Sequence, residues 1–140
     1  MYRPEEVLHS FIAEMHQWEI NCCLSSKKVN AGQVEESAHN NNCENTYQRI
    51  YGKYCSPTKG TPRNFHYLNP PEYSPDWETI QNVTIRSSTL VNLETLKVYP
   101  PEYKTSDEHF VYHLILEGGD WKLYDKVEIT AEGKKRRLGL

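Results

Sequence analysis

The 140-residue sequence predicts an α+β domain in which N-terminal helices pack on one face of a curved antiparallel sheet, the shape of a cone. Three observations carry the prediction. Apolar residues recur at helical spacing over the first two dozen positions, they alternate at strand spacing from residue 79 onward, and the length fits one cored domain.

The first helix is read over residues 4–23. Pro4 suits an opening turn, Glu5 and Glu6 suit its positive end, and Leu8, Phe11, Ile12, Met15, Trp18 and Cys22 share one face. His9, Glu14, Gln17 and Asn21 hold the other face, so this helix lies against something. Over 24–45 the composition turns to Ser, Lys, Asn, Glu and Gln, which predicts a loop or one short exposed helix. A second helical piece is read over 46–54 from Tyr47, Ile50, Tyr51 and Tyr54. Ser56-Pro57 and Gly60-Thr61-Pro62 end it, and Pro70, Pro71 and Pro75 break 64–76 into turns or edge segments.

Four strands follow, over 79–86, 90–99, 109–117 and 121–130, rich in β-branched and aromatic residues. The last two form a hairpin across Gly118-Gly119. Phe110, Tyr112, Leu114 and Leu116 point to one side of the first, and strict alternation places Trp121, Leu123, Asp125, Val127 and Ile129 inward on the second. The tail is read as poorly ordered.

Sixteen basic residues face nineteen acidic ones, and Lys134, Lys135, Arg136 and Arg137 supply four of the basic residues near the end. Without those four the body is seven charges negative, which disfavours direct nucleic-acid binding and either steers toward a basic partner or only aids solubility. No run approaches the roughly 20 apolar residues of a membrane span, and the opening residues lack a signal peptide's basic-then-apolar order. A soluble cytoplasmic protein is expected, with Cys22, Cys23, Cys43 and Cys55 as free thiols.

Motifs for chemistry are sparse. His39, Cys43 and Cys55 share a polar region, yet their spacing is poor for zinc, and no metal or cofactor is expected. Neither a Gly-x-Ser-x-Gly elbow nor a phosphate loop occurs. The candidates for an acid or base in a pocket are His113, Tyr112, Tyr124 and Asp125, which make no convincing pair.

Phe11-Ile12-Ala13-Glu14-Met15-His16-Gln17-Trp18-Glu19 resembles the opening helix of the NTF2-fold immunity proteins of bacterial polymorphic toxin systems. Gly118-Gly119-Asp120-Trp121-Lys122-Leu123 resembles the hairpin that ends many NTF2-like domains. The resemblance implies an NTF2-like cone, here over 1–133; the basic stretch over 134–140 is read from its composition and position as a disordered tail. The resemblance also implies a cytosolic inhibitor that binds one cognate toxin domain, of an Rhs or contact-dependent system, and neutralises it by occlusion without catalysis. A partly apolar sheet face would allow a homodimer. NTF2-like cones also serve small isomerase- or dehydratase-type enzymes, for which Asp125 and His113 are the pocket candidates, and binders of small ligands.

For toxin contacts, aromatic anchors among charges are the expected make-up. Three patches fit: Glu35, Glu36 and Glu44 in the polar stretch; Glu102, Tyr103, Asp107 and Glu108 after Pro100-Pro101; and Tyr73, Asp76 and Trp77 beside Glu72 and Glu78.

Overall fold

Two helices precede a five-stranded sheet in the computed structural model, which describes residues 2–57, 71–138 and 140. The predicted breakers Gly60-Thr61-Pro62 and Pro70 lie outside the described residues. Helix α1 spans Pro4–Asn30, opened by Pro4 and by the Glu6 carboxylate, which accepts from the Arg3 backbone N (3.4 Å) and Nε (3.0 Å). It runs past its predicted end because no breaker intervenes before Gly32, whose φ of 73° stops it.

Helix α2 spans Glu36–Tyr54, so of the two readings of the polar stretch the helical one holds after residue 35, though the helix is continuous with the predicted piece over 46–54 and buried along one line. One narrow line, His39, Cys43, Tyr47, Ile50 and Tyr54, is buried, and its spacing of three and four residues is helical. The wider face is Asn, Glu and Gln, which hides the period in the sequence.

The helices form an antiparallel hairpin. Trp18 Nε1 donates to the Cys43 carbonyl (2.8 Å), the Tyr54 hydroxyl donates to Glu14, and Cys22 and Cys43 are disulfide-bonded with Cα atoms 6.0 Å apart. The expectation of four free thiols is thereby corrected: once α2 starts at Glu36, Cys43 faces Cys22 across the hairpin. Cys23 and Cys55 stay free.

The sheet is an antiparallel meander in the order β1 (Glu78–Ser87), β2 (Leu90–Lys97), β3 (Glu108–Glu117), β4 (Asp120–Ile129), β5 (Lys135–Arg137). Gly118 and Gly119, at φ 58° and 83°, close the two-residue β3–β4 turn that the sequence predicts. The tail is corrected, since Lys135–Arg137 pair with Val127–Ile129, Leu138 N donates to the Lys126 carbonyl (2.9 Å), and Leu138 and Leu140 rest on the core.

The strict alternation read for β4 fails at one point. His113 pairs with Asp125 and Leu114 with Leu123, so Tyr124 is an extra residue, a β-bulge. Beyond it the faces exchange. Lys126 turns into the interior at 1% exposure, while Asp125 joins His113 on the outer face. A shift of one residue inverts every side chain that follows, and no single side chain announces it.

Leu8, Phe11, Ile12 and Met15 of α1 pack on Leu93, Tyr112, Leu114 and Leu123 of the sheet, each contributing on the order of 1.5–3 kcal/mol by burial. The Ser56 N–H donates to the Leu123 carbonyl (2.7 Å) and ties the end of α2 to β4. Among the described residues, no helix is long and apolar enough to cross a membrane.

These thiols give a direct check. Burial pushes the Cys55 thiol up to about 12, so a maleimide at pH 8 labels Cys23 in the native protein and spares Cys55. Mass spectrometry of denatured protein is expected to show two labelled thiols before reduction and four after; four before reduction would refute the disulfide. Replacing Cys43 with Ser should cost about 2–4 kcal/mol in urea unfolding.

Candidate functional site

The chain between α2 and β1 approaches the sheet through residues 71–76, and side chains from both layers hold its backbone. Glu19 lies on the buried face of α1, four residues after Met15, and its two oxygens accept the N–H groups of Glu72 (2.8 Å) and Tyr73 (2.9 Å). His16 Nδ1 donates to the Tyr73 carbonyl (2.8 Å). Lys97, at the end of β2, donates to the carbonyls of Pro71 (3.2 Å) and Glu72 (2.6 Å). The Ser74 carbonyl then accepts from Trp77 N (3.2 Å) and Glu78 N (3.1 Å), turning the chain into β1.

Beneath this segment lies a buried polar layer. Glu78 Oε2 accepts from the Thr95 hydroxyl (2.6 Å) and the Tyr112 hydroxyl (2.9 Å). The Lys126 ammonium sits 4.5 Å from the Tyr73 ring centroid and 4.3 Å from that of Phe110, with a Glu72 carboxylate oxygen at 3.8 Å. Burial and the neighbouring Lys126 charge lower the Lys97 ammonium. Burial and Glu78 raise the Tyr112 phenol well above its ordinary value, and burial with Glu108 does the same for Tyr99.

Above the layer is a rim of three aromatic rings. Trp77 packs on Tyr99 (5.5 Å between centroids) and on Tyr103 (5.4 Å). The 3-10 turn Pro101–Tyr103 presents Tyr103 to solvent at 38% exposure, with Glu102 exposed beside it in the chain, Asp107 exposed four residues on, and Asp76 exposed before Trp77. The Tyr99 hydroxyl donates to Glu108, which anchors the group to β3.

Two of the predicted patches therefore become one surface. Glu102, Tyr103, Asp107 and Glu108 join Asp76 and Trp77 through Tyr99, a residue the sequence reading passed over. Tyr73 is not part of it: at 1% exposure it is core, packed edge-on against Phe11. Glu35, Glu36 and Glu44 are exposed along α2, apart from the rings. Lys97 was legible as the next inward position after Val91, Leu93 and Thr95, whereas Lys126 was hidden by the bulge.

The model of NTF2 fold immunity proteins matches residues 3–137. The chain belongs to that family. No curated protein and no solved structure matches it. Membership brings with it an immunity function and a cognate toxin as partner. The two helices on a curled antiparallel sheet are the NTF2-like cone that the sequence predicts.

In this immunity protein Tyr112 alone of the four acid or base candidates is buried in the cone interior, its hydroxyl on Glu78, while His113, Tyr124 and Asp125 do not face it. His113 Nδ1 lies 2.7 Å from Asn92 Oδ1, its ring is 5.8 Å from that of Tyr124, and Asp125 Oδ1 accepts from the Lys126 backbone N (2.9 Å). Asp125 was expected inward, and the bulge at Tyr124 puts it outside. Of the trio screened for zinc, Cys43 is spent on the disulfide, and among the described residues no group of three His, Cys, Asp or Glu could hold a metal ion.

Two outcomes test the buried layer. Glu19→Ala strips both amides of their acceptor and should cost about 2 kcal/mol or more in urea unfolding, against less than about 0.5 for exposed Glu44→Ala. The raised phenols of Tyr99 and Tyr112 add stability below the ordinary tyrosine value of 10.0, and it is lost as pH climbs beyond that value. The lowered Lys97 has the opposite sign, gaining stability up to the ordinary lysine value of 10.5. The raised Cys55 thiol, whose ordinary value is 9.0, and the raised phenols of Tyr51 and Tyr54 act in the same direction as Tyr99 and Tyr112, so against one lowered ammonium the urea midpoint should fall above about pH 9 and fall less in Tyr112→Phe. Exposed tyrosines give some phenolate absorbance before unfolding; a smaller pre-unfolding rise in Tyr112→Phe than in the parent would contradict the burial of Tyr112.

Proposed function

We propose that the protein binds its cognate toxin domain directly and neutralises it by occlusion, without catalysis, in the cytoplasm of the producing cell. The contact surface is the rim of Trp77, Tyr99 and Tyr103 with Asp76, Glu102 and Asp107. The observation that carries this is the stack of three rings, bordered by carboxylates, at one edge of the cone.

Aromatic rings supply rigid contact area with few torsions to freeze, and bordering charge speeds encounter and sets the sign of the partner. The excess of acid over base in the body points to a toxin with a basic face. Occlusion is favoured over chemistry because the buried polar groups, one oxygen of Glu78 apart, bind one another and the backbone of 71–73, and because His113 and Asp125 lie on the outer face. A polymorphic toxin system of Rhs or contact-dependent type fits this reading.

Co-expression with the toxin domain encoded immediately upstream should rescue the host and yield a one-to-one complex. Asp76→Lys, Glu102→Lys and Asp107→Lys together should weaken that complex at least tenfold, about 1.4 kcal/mol, while Glu44→Lys leaves it unchanged. A toxic upstream domain that neither co-purifies with the protein nor loses toxicity would refute the reading; full affinity in the triple variant would move the interface elsewhere.

A further inference from the structure

Between α1 and the start of β1 runs a groove of about 270 Å³, lined by His9, Ile12, Pro75, Glu78, Ile80 and Thr95 among others. Glu78 is 6% exposed. Its Oε2 takes both hydroxyls of the buried layer, and its Oε1 is buried with no hydrogen-bond partner, the only such side-chain atom among the described residues. The two buried lysines are committed elsewhere, Lys97 to the carbonyls of Pro71 and Glu72, and Lys126 to the rings of Tyr73 and Phe110. Leaving a buried carboxylate oxygen without a donor is costly, and a native structure that keeps one invites an explanation in ligand binding.

We propose that this groove is a binding site for an alkylguanidinium or alkylammonium group, whose cationic head donates to Glu78 while its stem lies along Ile12, Pro75 and Ile80. An ionised acceptor prefers a charged donor, and apolar walls suit the methylene stem of such a group. The volume lies just below the roughly 300 Å³ at which drug-sized pockets begin, room for one side chain or a small amine. The terminal torsion of a glutamate is soft, so a turn of the carboxylate presents an oxygen to the groove. Two sources offer this chemistry: a lysine or arginine of the bound toxin, which rests on the function proposed above, or a free small amine.

The probe is n-butylguanidinium, titrated into ¹⁵N-labelled protein and followed by NMR. Saturable shifts at the amides of His9, Ile12, Ile80 and Thr95 are expected, with none from n-butanol. Glu78→Gln keeps an acceptor for Thr95 and Tyr112 and should weaken binding at least tenfold. His9→Trp fills the groove from an exposed position, leaves Glu78 in place and should abolish binding, so it decides the matter if Glu78→Gln fails to fold. The site is overturned by the absence of saturable shifts, by equal binding in either variant, or by the same shifts from n-butanol. Adding the toxin domain separates the sources: displacement of the probe assigns the site to a toxin side chain, and retention assigns it to a free amine. If the toxin domain does not bind at all, the proposed function falls and the titration still decides the site.

Discussion

Residues 71–74 have no regular structure of their own, and buried ions hold their backbone where a ladder or helix would otherwise do so. Glu19 reaches them from the helical layer and Lys97 from the sheet, so two oppositely charged groups grip the same short stretch from both sides. That grip fixes how the helices sit over the sheet at this edge, and it sets the angle at which the chain enters β1. Trp77 and Glu78 follow directly, one at the surface and one in the interior. Removing Glu19 leaves two backbone N–H groups without their acceptor, and removing Lys97 leaves two carbonyls without its ammonium, so each loss strands a pair of backbone groups. The rim and the groove both inherit their placement from this contact.

Charge acts here at two depths and in two ways. Inside, carboxylates and ammoniums lie in a low-dielectric setting where each is matched to a hydroxyl, a carbonyl, an amide or a ring face, and where geometry decides the outcome. Outside, the acidic excess is spread over solvated side chains, whose influence is long-ranged and screened by salt. The first kind shapes the cone; the second selects what approaches it.

What the sequence disclosed follows the strength of each local pattern. Helix α1 and the Gly118-Gly119 hairpin were legible because one has a full apolar face at helical spacing and the other needs two residues with positive φ. The first half of α2 was not, since a single buried line of His39 and Cys43 carries too little apolar signal against a polar background. The disulfide followed that omission, because a cysteine in a stretch read as loop or exposed helix is given no buried face and so no partner. The inward Lys126 was out of reach for another reason: a bulge is a property of two strands in register, and a single strand read alone gives no sign of it. Of the site, the aromatic and acidic residues were found as two patches, and their union through Tyr99 required the fold.

Each strand of this sheet pairs with the strand next to it in sequence, from β1 through to β5, and the helices likewise form a hairpin of neighbours. Sequential pairing within the sheet and within the helical hairpin closes short loops early, and leaves the seating of α1 on β2–β4, segments distant in sequence, as the slower step. The pace of that step bears on how a newly made protective protein would compete with a rival that is already active. Its usefulness in a cell would then be governed as much by the interval between synthesis and readiness as by the tightness of the finished complex.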